Sequence, residues 1–270
     1  MSEMTINLKI GGTDITMAFD PDIPVHRSIL VQLQNTGAYE PGTLKFLARA
    51  LRRGDTFVDI GAHIGFFSTV AAAFVGESGA VVAVEPTDEN YAWLEKNACF
   101  VVTPRIQTIK AAMSDGDGEV TFHLNKDNDG GHALWAPGQH PLNVKTRAAP
   151  ESVKVPSKTL VTLFEEAKCS HVRLMKIDTE GAEPKILRGG ADLLRSGVVD
   201  FIIAEVNSSG LVFMGDNIDG FFAFARELGF IICLLDDTGG PLVILDSRNR
   251  PDPKYVYNVL LARPDAIATL

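Results

Sequence analysis

T-F-V-D-I-G-A-H-I-G-F-F-S at residues 56–68, followed by V-V-A-V-E-P at 81–86, decides how this chain is read. An apolar strand runs into a glycine-bearing turn, a helix follows, and a second apolar strand ends in Glu85. That is the layout of a nucleotide-cofactor half-site in an α/β fold. Asp59, Gly61 and Gly65 fall at the carboxyl end of the first strand, the edge where open α/β sheets take their ligands. Gly61 allows a sharp turn, and Gly65 is expected to let the chain pass close to a ligand. Glu85 follows the turn by about two dozen residues, where a carboxylate accepts hydrogen bonds from both hydroxyls of a ribose.

The spacing argues against a dinucleotide. A pyrophosphate-binding turn needs G-x-G-x-x-G, and counting from Gly61 its second and third glycine positions hold His63 and Phe66. Side chains there would crowd a phosphate and keep backbone donors away from it. D-x-G-x-x-x-G with a strand-end glutamate suits an adenosine without phosphates, and S-adenosylmethionine is the commonest cofactor of that kind.

Around this stretch, 270 residues with 46% hydrophobic content describe one large domain, or one domain with an extension. No run of eighteen apolar residues predicts a transmembrane helix. M-S-E-M-T-I-N-L-K-I lacks the basic region and apolar core of a secretory signal. Cys99, Cys169 and Cys233 have no metal-like spacing and lie in or beside apolar segments. They are expected to be buried thiols of a reducing, cytoplasmic compartment. A net charge of −9 argues against a nucleic-acid partner. The basic cluster Lys45, Arg49, Arg52 and Arg53 falls on a predicted helix and reads as a solvated face.

Residues 4–19 alternate around Gly11-Gly12 and predict a hairpin. Residues 26–52 read as helical with a break near 37–42, so that 1–53 forms an N-terminal cap on a main domain of 54–270. The main domain alternates strands and helices: strands at 57–61, 81–85, 106–112, 172–177 and 199–205, with helices near 66–74, 88–99, 160–167, 184–195 and 218–228. Thr87 or Asp88 is the expected N-cap of the second helix. Residues 119–124 predict a further strand. Residues 125–157, rich in Asn, Gly, Pro and charge, predict a long irregular insertion acting as a binding lid. Two last strands, at 230–235 and 255–261, have no helix between them. The whole predicts an α/β fold of seven strands, mostly parallel with an antiparallel edge.

A second motif follows strand 172–177: M-K-I-D-T-E-G-A-E-P, which places Lys176, Asp178, Glu180 and Glu183 within eight residues. Glu183, and Glu180 with it, can favour the N-terminus of the next helix. Opposite charges at a buried strand end, as Lys176 and Asp178 would be, are costly unless used or paired.

F-V-D-I-G-A-H-I-G, V-E-P, A-A-M-S-D and K-I-D-T-E-G-A-E, in this order over about residues 54–206, resemble the FkbM-type S-adenosylmethionine-dependent methyltransferases. The resemblance implies the Rossmann-like class I methyltransferase fold. It implies a donor site in which Asp59, Gly61, Ala62, His63 and Gly65, with Phe66 beside them, wrap the methionine and ribose side. Glu85 would take the ribose hydroxyls and Pro86 would line the adenine. Ser114 and Asp115 would approach the adenine, and Asp178 the methionine amino group or the acceptor. His63 stands where the family often carries asparagine. The family's first members methylate hydroxyls of sugars and polyketides in bacterial secondary metabolism, and others use different nucleophiles.

Methyl transfer from a sulfonium is an in-line displacement that needs alignment and the management of one proton. An alcohol acceptor also needs a base or a metal. The candidate catalytic residues are His132 in the insertion, Lys176, Asp178 and Glu205. Asp178 and Glu205 end neighbouring strands and could together hold a divalent cation, although no dense carboxylate cluster demands one. The expectation is therefore O-methylation of a small molecule, yielding S-adenosylhomocysteine, without a metal, nucleic acid or membrane. The candidate partner besides the small-molecule acceptor is a second copy in a homodimer; N- or carboxyl methylation, a cofactor-binding module without turnover and a nucleotide-dependent oxidoreductase are the alternative functions.

Overall fold

A computed structural model describes residues 3–10, 12–235, 237–246 and 248–270. The chain opens with a hairpin, β1 (Met4–Ile10) and β2 (Thr13–Phe19), paired antiparallel from Met4↔Phe19 to Ile10↔Thr13. Gly11, half of the Gly-Gly turn signal, lies outside the described residues. Helices α1 (Pro24–Thr36) and α2 (Pro41–Ala50) follow, each with proline in its first turn, where a missing N–H costs nothing. Gly37 ends α1 in the left-handed conformation. Arg52 and Arg53 lie beyond α2. Lys45 and Arg49 hold the carbonyls of Asp237 (2.5 Å) and Gly240 (3.4 Å), so half of the basic cluster anchors a loop.

The main sheet begins with β3 (Thr56–Ile60), α3 (Phe66–Val75), β4 (Ala80–Val84), α4 (Asp88–Ala98) and β5 (Ile106–Ile109). T-F-V-D-I and A-V-V-A-V are near-continuous apolar runs because their strands are covered on both faces. The predicted strand 106–112 breaks after Ile109. A short β6 (Ala112–Met113) then joins β7 (Gly118–Leu124) and β8 (Glu151–Lys158) in a separate three-stranded sheet, ordered β6-β8-β7. The irregular insertion, which contains the five-residue helix α5 (Val144–Ala148), is therefore 125–150 rather than 125–157. Residues 151–157 belong to β8, which pairs with β7 from Gly118↔Ser157 to Leu124↔Glu151. Its mostly exposed side chains and Pro156 conceal it in the sequence.

Next come α6 (Leu160–Ala167), β9 (Val172–Ile177), α7 (Glu183–Gly189) and α8 (Ala191–Arg195). The single helix expected over 184–195 is thus two, divided at Gly189-Gly190. A Cβ on Gly189 would lie 2.4 Å from the Ser114 carbonyl, and one on Gly190 2.7 Å from Leu160. The chain closes with β10 (Val199–Val206), α9 (Ser208–Phe213), α10 (Ile218–Glu227), β11 (Ile231–Leu234), β12 (Val243–Ile244), β13 (Tyr257–Ala262) and α11 (Pro264–Ile267). The large sheet runs β12-β11-β13-β10-β9-β3-β4-β5. Its neighbours from β10 to β5 are parallel; β13 is antiparallel to β10 and β11, and β12 to β11. The α/β expectation and the antiparallel edge hold. The strand count is eight rather than seven, because the exposed two-residue β12 is too short to carry a periodicity.

Buried clusters line both faces of the sheet. One joins Phe57 and Val70 to Met17, Phe19, Ile29 and Leu47 of the N-terminal elements. The other joins Val58, Met175 and Ile177 to Ile186, Phe221 and Phe222. Of the cysteines only Cys233 is buried; Cys99 is exposed and Cys169 half-buried, against the expectation of buried thiols. Cys99 follows the last turn of α4, past its buried face. Among the described residues no helix is long and apolar enough to cross a membrane.

Candidate functional site

The carboxyl ends of β3, β4 and β9 converge on a cavity of about 520 Å³. Gly61 leaves β3 at φ 79° with its N–H on the Val84 carbonyl (3.0 Å), and a Cβ there would sit 1.9 Å from the Asp178 carbonyl. No other residue fits, so the two turns pack back to back at the cavity mouth. His63 is also left-handed, at φ 51°. Its backbone N–H donates to Glu85 Oε2 (3.1 Å), while Thr87 gives Oε1 its N–H (3.1 Å) and its hydroxyl (2.8 Å). Thr87 holds the N-cap position of α4, but its hydroxyl serves Glu85 rather than the helix. Burial raises the Glu85 carboxyl above its ordinary range, and His63 and the Thr87 hydrogen bonds work against that. Glu85 and Pro86 form one wall, and Ala111, Met113, Phe122 and Leu134 supply apolar surface.

Several sequence candidates stand elsewhere. Gly65 is the left-handed N-cap of α3, and its close neighbour is Leu94 of α4 (2.7 Å from a Cβ), not a ligand. Ala62 is 6% exposed and absent from the cavity wall; Phe66 is core, edge-on to Tyr39 and Phe67. Asp59 lies one layer below, accepting from Ser68 Oγ (2.6 Å). Burial raises it to about 6, against the pull of Lys176. Ser114 is buried beside β8 with its hydroxyl on Asp115 (3.2 Å), and Asp115 pairs with Lys185 (3.2 Å). Met113, not these two, reaches the cavity, because β6 ends there.

Lys176 is 2% exposed and is ion-paired with Asp178, its ammonium 4.7 Å from the Phe67 ring. Burial works to lower its pKa, but Asp178, Glu40 and Asp59 outweigh that and hold it well above the ordinary lysine value. It is therefore a fixed cation, unsuited to proton transfer. Glu183 opens α7 and accepts from the Thr179 N–H and hydroxyl (both 2.9 Å), the helix-terminus role foreseen for it. Burial raises it to about 7.

The insertion folds over the cavity. Asp129 accepts from His63 Nε2 (2.9 Å) and the Val25 N–H (3.2 Å), and its carbonyl accepts from Asn90 (3.1 Å). His132 lines the cavity, but its Nδ1 accepts the Asn125 N–H (2.9 Å), which leaves its proton on Nε2. Burial, with His63, lowers it to about 4. It is thus a neutral hydrogen-bond donor, and the base role expected of His132 does not suit this geometry.

A second cleft of about 1040 Å³ adjoins the cavity and shares Gly61, His63, Gly130 and Asp178 with it. Tyr39, Glu40, Glu180 and Glu205 line it. Glu180, at φ 58°, accepts from Asn207 Nδ2 (2.5 Å), and its carbonyl accepts from Trp135 Nε1 (2.7 Å). The segment that follows contains α9, whose N-cap is that same Asn207. Burial, with Asp178 adding to it, raises Glu180 to about 8; burial raises Glu205 well above the carboxylate range.

Sequence reasoning missed Asp129, Glu40 and the part played by Glu180. Asp129 stood three residues from His132 in D-N-D-G-G-H, and Glu180 lay inside the second motif. Nothing local marked Glu40, which α2 brings in from the N-terminal elements.

Among the described residues the one set of three or more whose metal-ligating atoms all lie within 4.8 Å of one another is His26, His63 and Asp129. His26 Nδ1 accepts the Asp20 N–H (3.0 Å), so its buried Nε2 carries a proton and cannot ligate. A metal-bound histidine normally donates from its second nitrogen.

Solved structures similar to this chain include an FkbM methyltransferase from Methylobacillus flagellatus KT, at 12% identity and a TM-score of 0.46. The alignment covers 87% of this chain and 58% of that one, so this chain spans less than two thirds of its length. A TehB-like SAM-dependent methyltransferase from Corynebacterium glutamicum aligns at 9% identity and 0.44, covering 88% and 95%. Aeropyrum pernix fibrillarin, with natively bound S-adenosyl-L-methionine, aligns at 11% and 0.40, covering 95% and 81%. None of the curated proteins matches. The methyltransferase FkbM domain matches residues 59–232, from Asp59 in β3 to Ile232 in β11, and the chain belongs to that family.

Proposed function

We propose that the chain, with a class I strand order, transfers the methyl group of S-adenosylmethionine to a hydroxyl of a small molecule of the sugar or polyketide kind. The observation that carries this reading is the shared wall of Gly61, His63, Gly130 and Asp178 between two spaces of different chemistry. The first couples a buried carboxylate, Glu85, to apolar surface, which fits a nucleoside. When bound, the cofactor supplies an electrophilic methyl group on a sulfonium.

The chain's own residues then do the positioning. Glu85 holds the ribose hydroxyls; its oxygens are oriented beforehand by His63 and Thr87. Pro86 and Met113 face the base, and Asp178 faces the amino group. His63 replaces His132 as the base. Asp129 accepts the Nε2–H hydrogen bond and keeps that proton on Nε2, so Nδ1, which has no partner among the described residues, is left to receive the acceptor's proton. Lys176 keeps Asp178 in place. The test is calorimetry with S-adenosylhomocysteine and with NAD, followed by a screen of hydroxylated acceptors using methyl-labelled donor. Binding of the first ligand, no heat from the second and label on an acceptor oxygen are expected. NAD binding without S-adenosylhomocysteine binding overturns the reading.

A further inference from the structure

The second cleft has an imbalance of charge. Five carboxylates line it, at Glu40, Asp127, Asp178, Glu180 and Glu205, and neither a lysine nor an arginine does. Lys176 lies beneath and is already ion-paired with Asp178. Glu40 Oε2 is bonded to Thr43 (3.0 Å) and Asn258 (2.9 Å), and Glu180 to Asn207. Glu205 differs: its Oε2 is wholly buried and has no hydrogen-bond partner. A buried carboxyl oxygen without a donor costs on the order of 1–3 kcal/mol or more, a cost that a donor group on a ligand would relieve. Burial first and the neighbouring acids after it hold Glu180 and Glu205 above the ordinary carboxylate range, whereas the pull of Lys176 on Glu40 works against its burial.

The missing group is not the donor's own ammonium, because Glu40, Glu180 and Glu205 lie outside the donor cavity wall. Among the described residues no three of these carboxylates bring ligand oxygens within 4.8 Å of one another, so they offer no three-ligand metal set. An organic ammonium suits the spread: it carries three donors that reach separate acceptors.

We propose that the methyl acceptor is a cationic amine, whose ammonium is held by Glu180 and Glu205 while its hydroxyl reaches His63. The inference rests on the methyl-transfer reading for what the cleft holds. The test titrates S-adenosylhomocysteine-loaded protein at neutral pH with D-glucosamine and spermidine, with neutral N-acetylglucosamine and with anionic D-glucuronate. At least one amine should bind, by about tenfold or more over the neutral and anionic probes. The Glu180→Gln and Glu205→Gln double variant should abolish that preference. Equal binding of N-acetylglucosamine or glucuronate, or no binding of either amine, overturns the proposal. So does an unchanged preference in a double variant that still binds S-adenosylhomocysteine. Failure of S-adenosylhomocysteine to bind the wild-type protein defeats the donor-site reading instead, so the two failures are distinct. If the double variant does not fold, the comparison among probes on the wild-type protein still decides.

Discussion

His63 Nε2 and Asp129 Oδ2 lie 2.9 Å apart, and through them the turn after β3 holds the insertion closed over the cavity. Asp129 fixes the ring as well as the lid: a carboxylate can only accept, so the His63 proton sits on Nε2 and the lone pair on Nδ1.

Asp129→Asn removes that constraint while keeping the shape, since an amide can donate and allows the other tautomer. Turnover should fall on the order of 10²-fold or more, the usual weight of a positioned base. S-adenosylhomocysteine affinity should change little. A kcat-versus-pH profile with labelled donor checks this, and a variant whose kcat and profile match the wild type removes the dyad from catalysis.

Glu85→Ala should weaken S-adenosylhomocysteine by about 1.5–3 kcal/mol, the worth of hydrogen bonds to a charged group. Thr87→Val should weaken it less, because Oε1 keeps the Thr87 N–H when the hydroxyl is gone. Calorimetry on both variants gives the comparison. Equal affinity of Glu85→Ala and wild type would place the ribose elsewhere.

Gly61→Ala and Gly12→Ala form a matched pair. Both glycines have φ near +80°, at 79° and 86°, but a Cβ on Gly12 meets nothing within 4 Å whereas one on Gly61 strikes the Asp178 carbonyl. The Gly12 change should cost about 1 kcal/mol of backbone strain. The Gly61 change should cost several times as much or prevent folding, because backbone cannot give way as a flexible side chain does. Thermal melts measure the difference, and equal melting temperatures would mean that the two turns are not packed together.

The parallel half of the sheet was legible because strands buried on both faces write themselves as V-V-A-V or L-M-K-I. The donor turn was legible because Gly61 has no substitute. What escaped depends on distance in the chain. Asp129 meets His63 across 66 residues, and Glu40 meets Asn258 across 218. β8 escaped because its exposed face and Pro156 look like loop. Gly65 was read correctly as a glycine required by close approach, but the approaching group is Leu94. A sequence shows that space is needed without showing who fills it. His132 misled for a related reason: its role is set by the Asn125 N–H, a backbone group with no sequence signature.

Lys176→Met should be among the most damaging single changes. The thioether fits the aliphatic stem beside Phe67 but leaves Asp178, Glu40 and Asp59 without their buried cation. Removing one partner of a buried ion pair costs about 3–5 kcal/mol. Adding Asp59→Asn should recover part of that loss in urea titrations, since it removes one of the stranded acids. No recovery would mean that Asp59 does not feel Lys176.

Stability should also fall as pH rises from about 6.5 to about 8, for a reason that can be assigned. Burial pushes Glu180 up to about 8 from an ordinary 4.5, so in this window the folded chain holds a proton that the unfolded chain has released. Such a group favours folding at low pH and loses that contribution as pH climbs through its folded value, at no more than about 1.4 kcal/mol per pH unit. Glu183, raised to about 7, adds to the lower part of the window. His26 and His132 act in the opposite sense: burial lowers both to about 4 from 6.5, so their contribution grows with pH only up to 6.5. Between 4.5 and 6.5 the two kinds of group offset each other, and above 6.5 the carboxyls act alone. Urea titrations at the two ends of that window should show a wild-type loss of about 2 kcal/mol or more. Glu180→Gln should remove its share, because a glutamine carbonyl still accepts from Asn207 and carries no titrating proton, while Glu205, also held well above the carboxylate range, keeps its own. A Glu180→Gln variant with the wild-type slope would show that Glu180 is already ionised in the folded chain, and that the cleft meets its acceptor with that charge exposed.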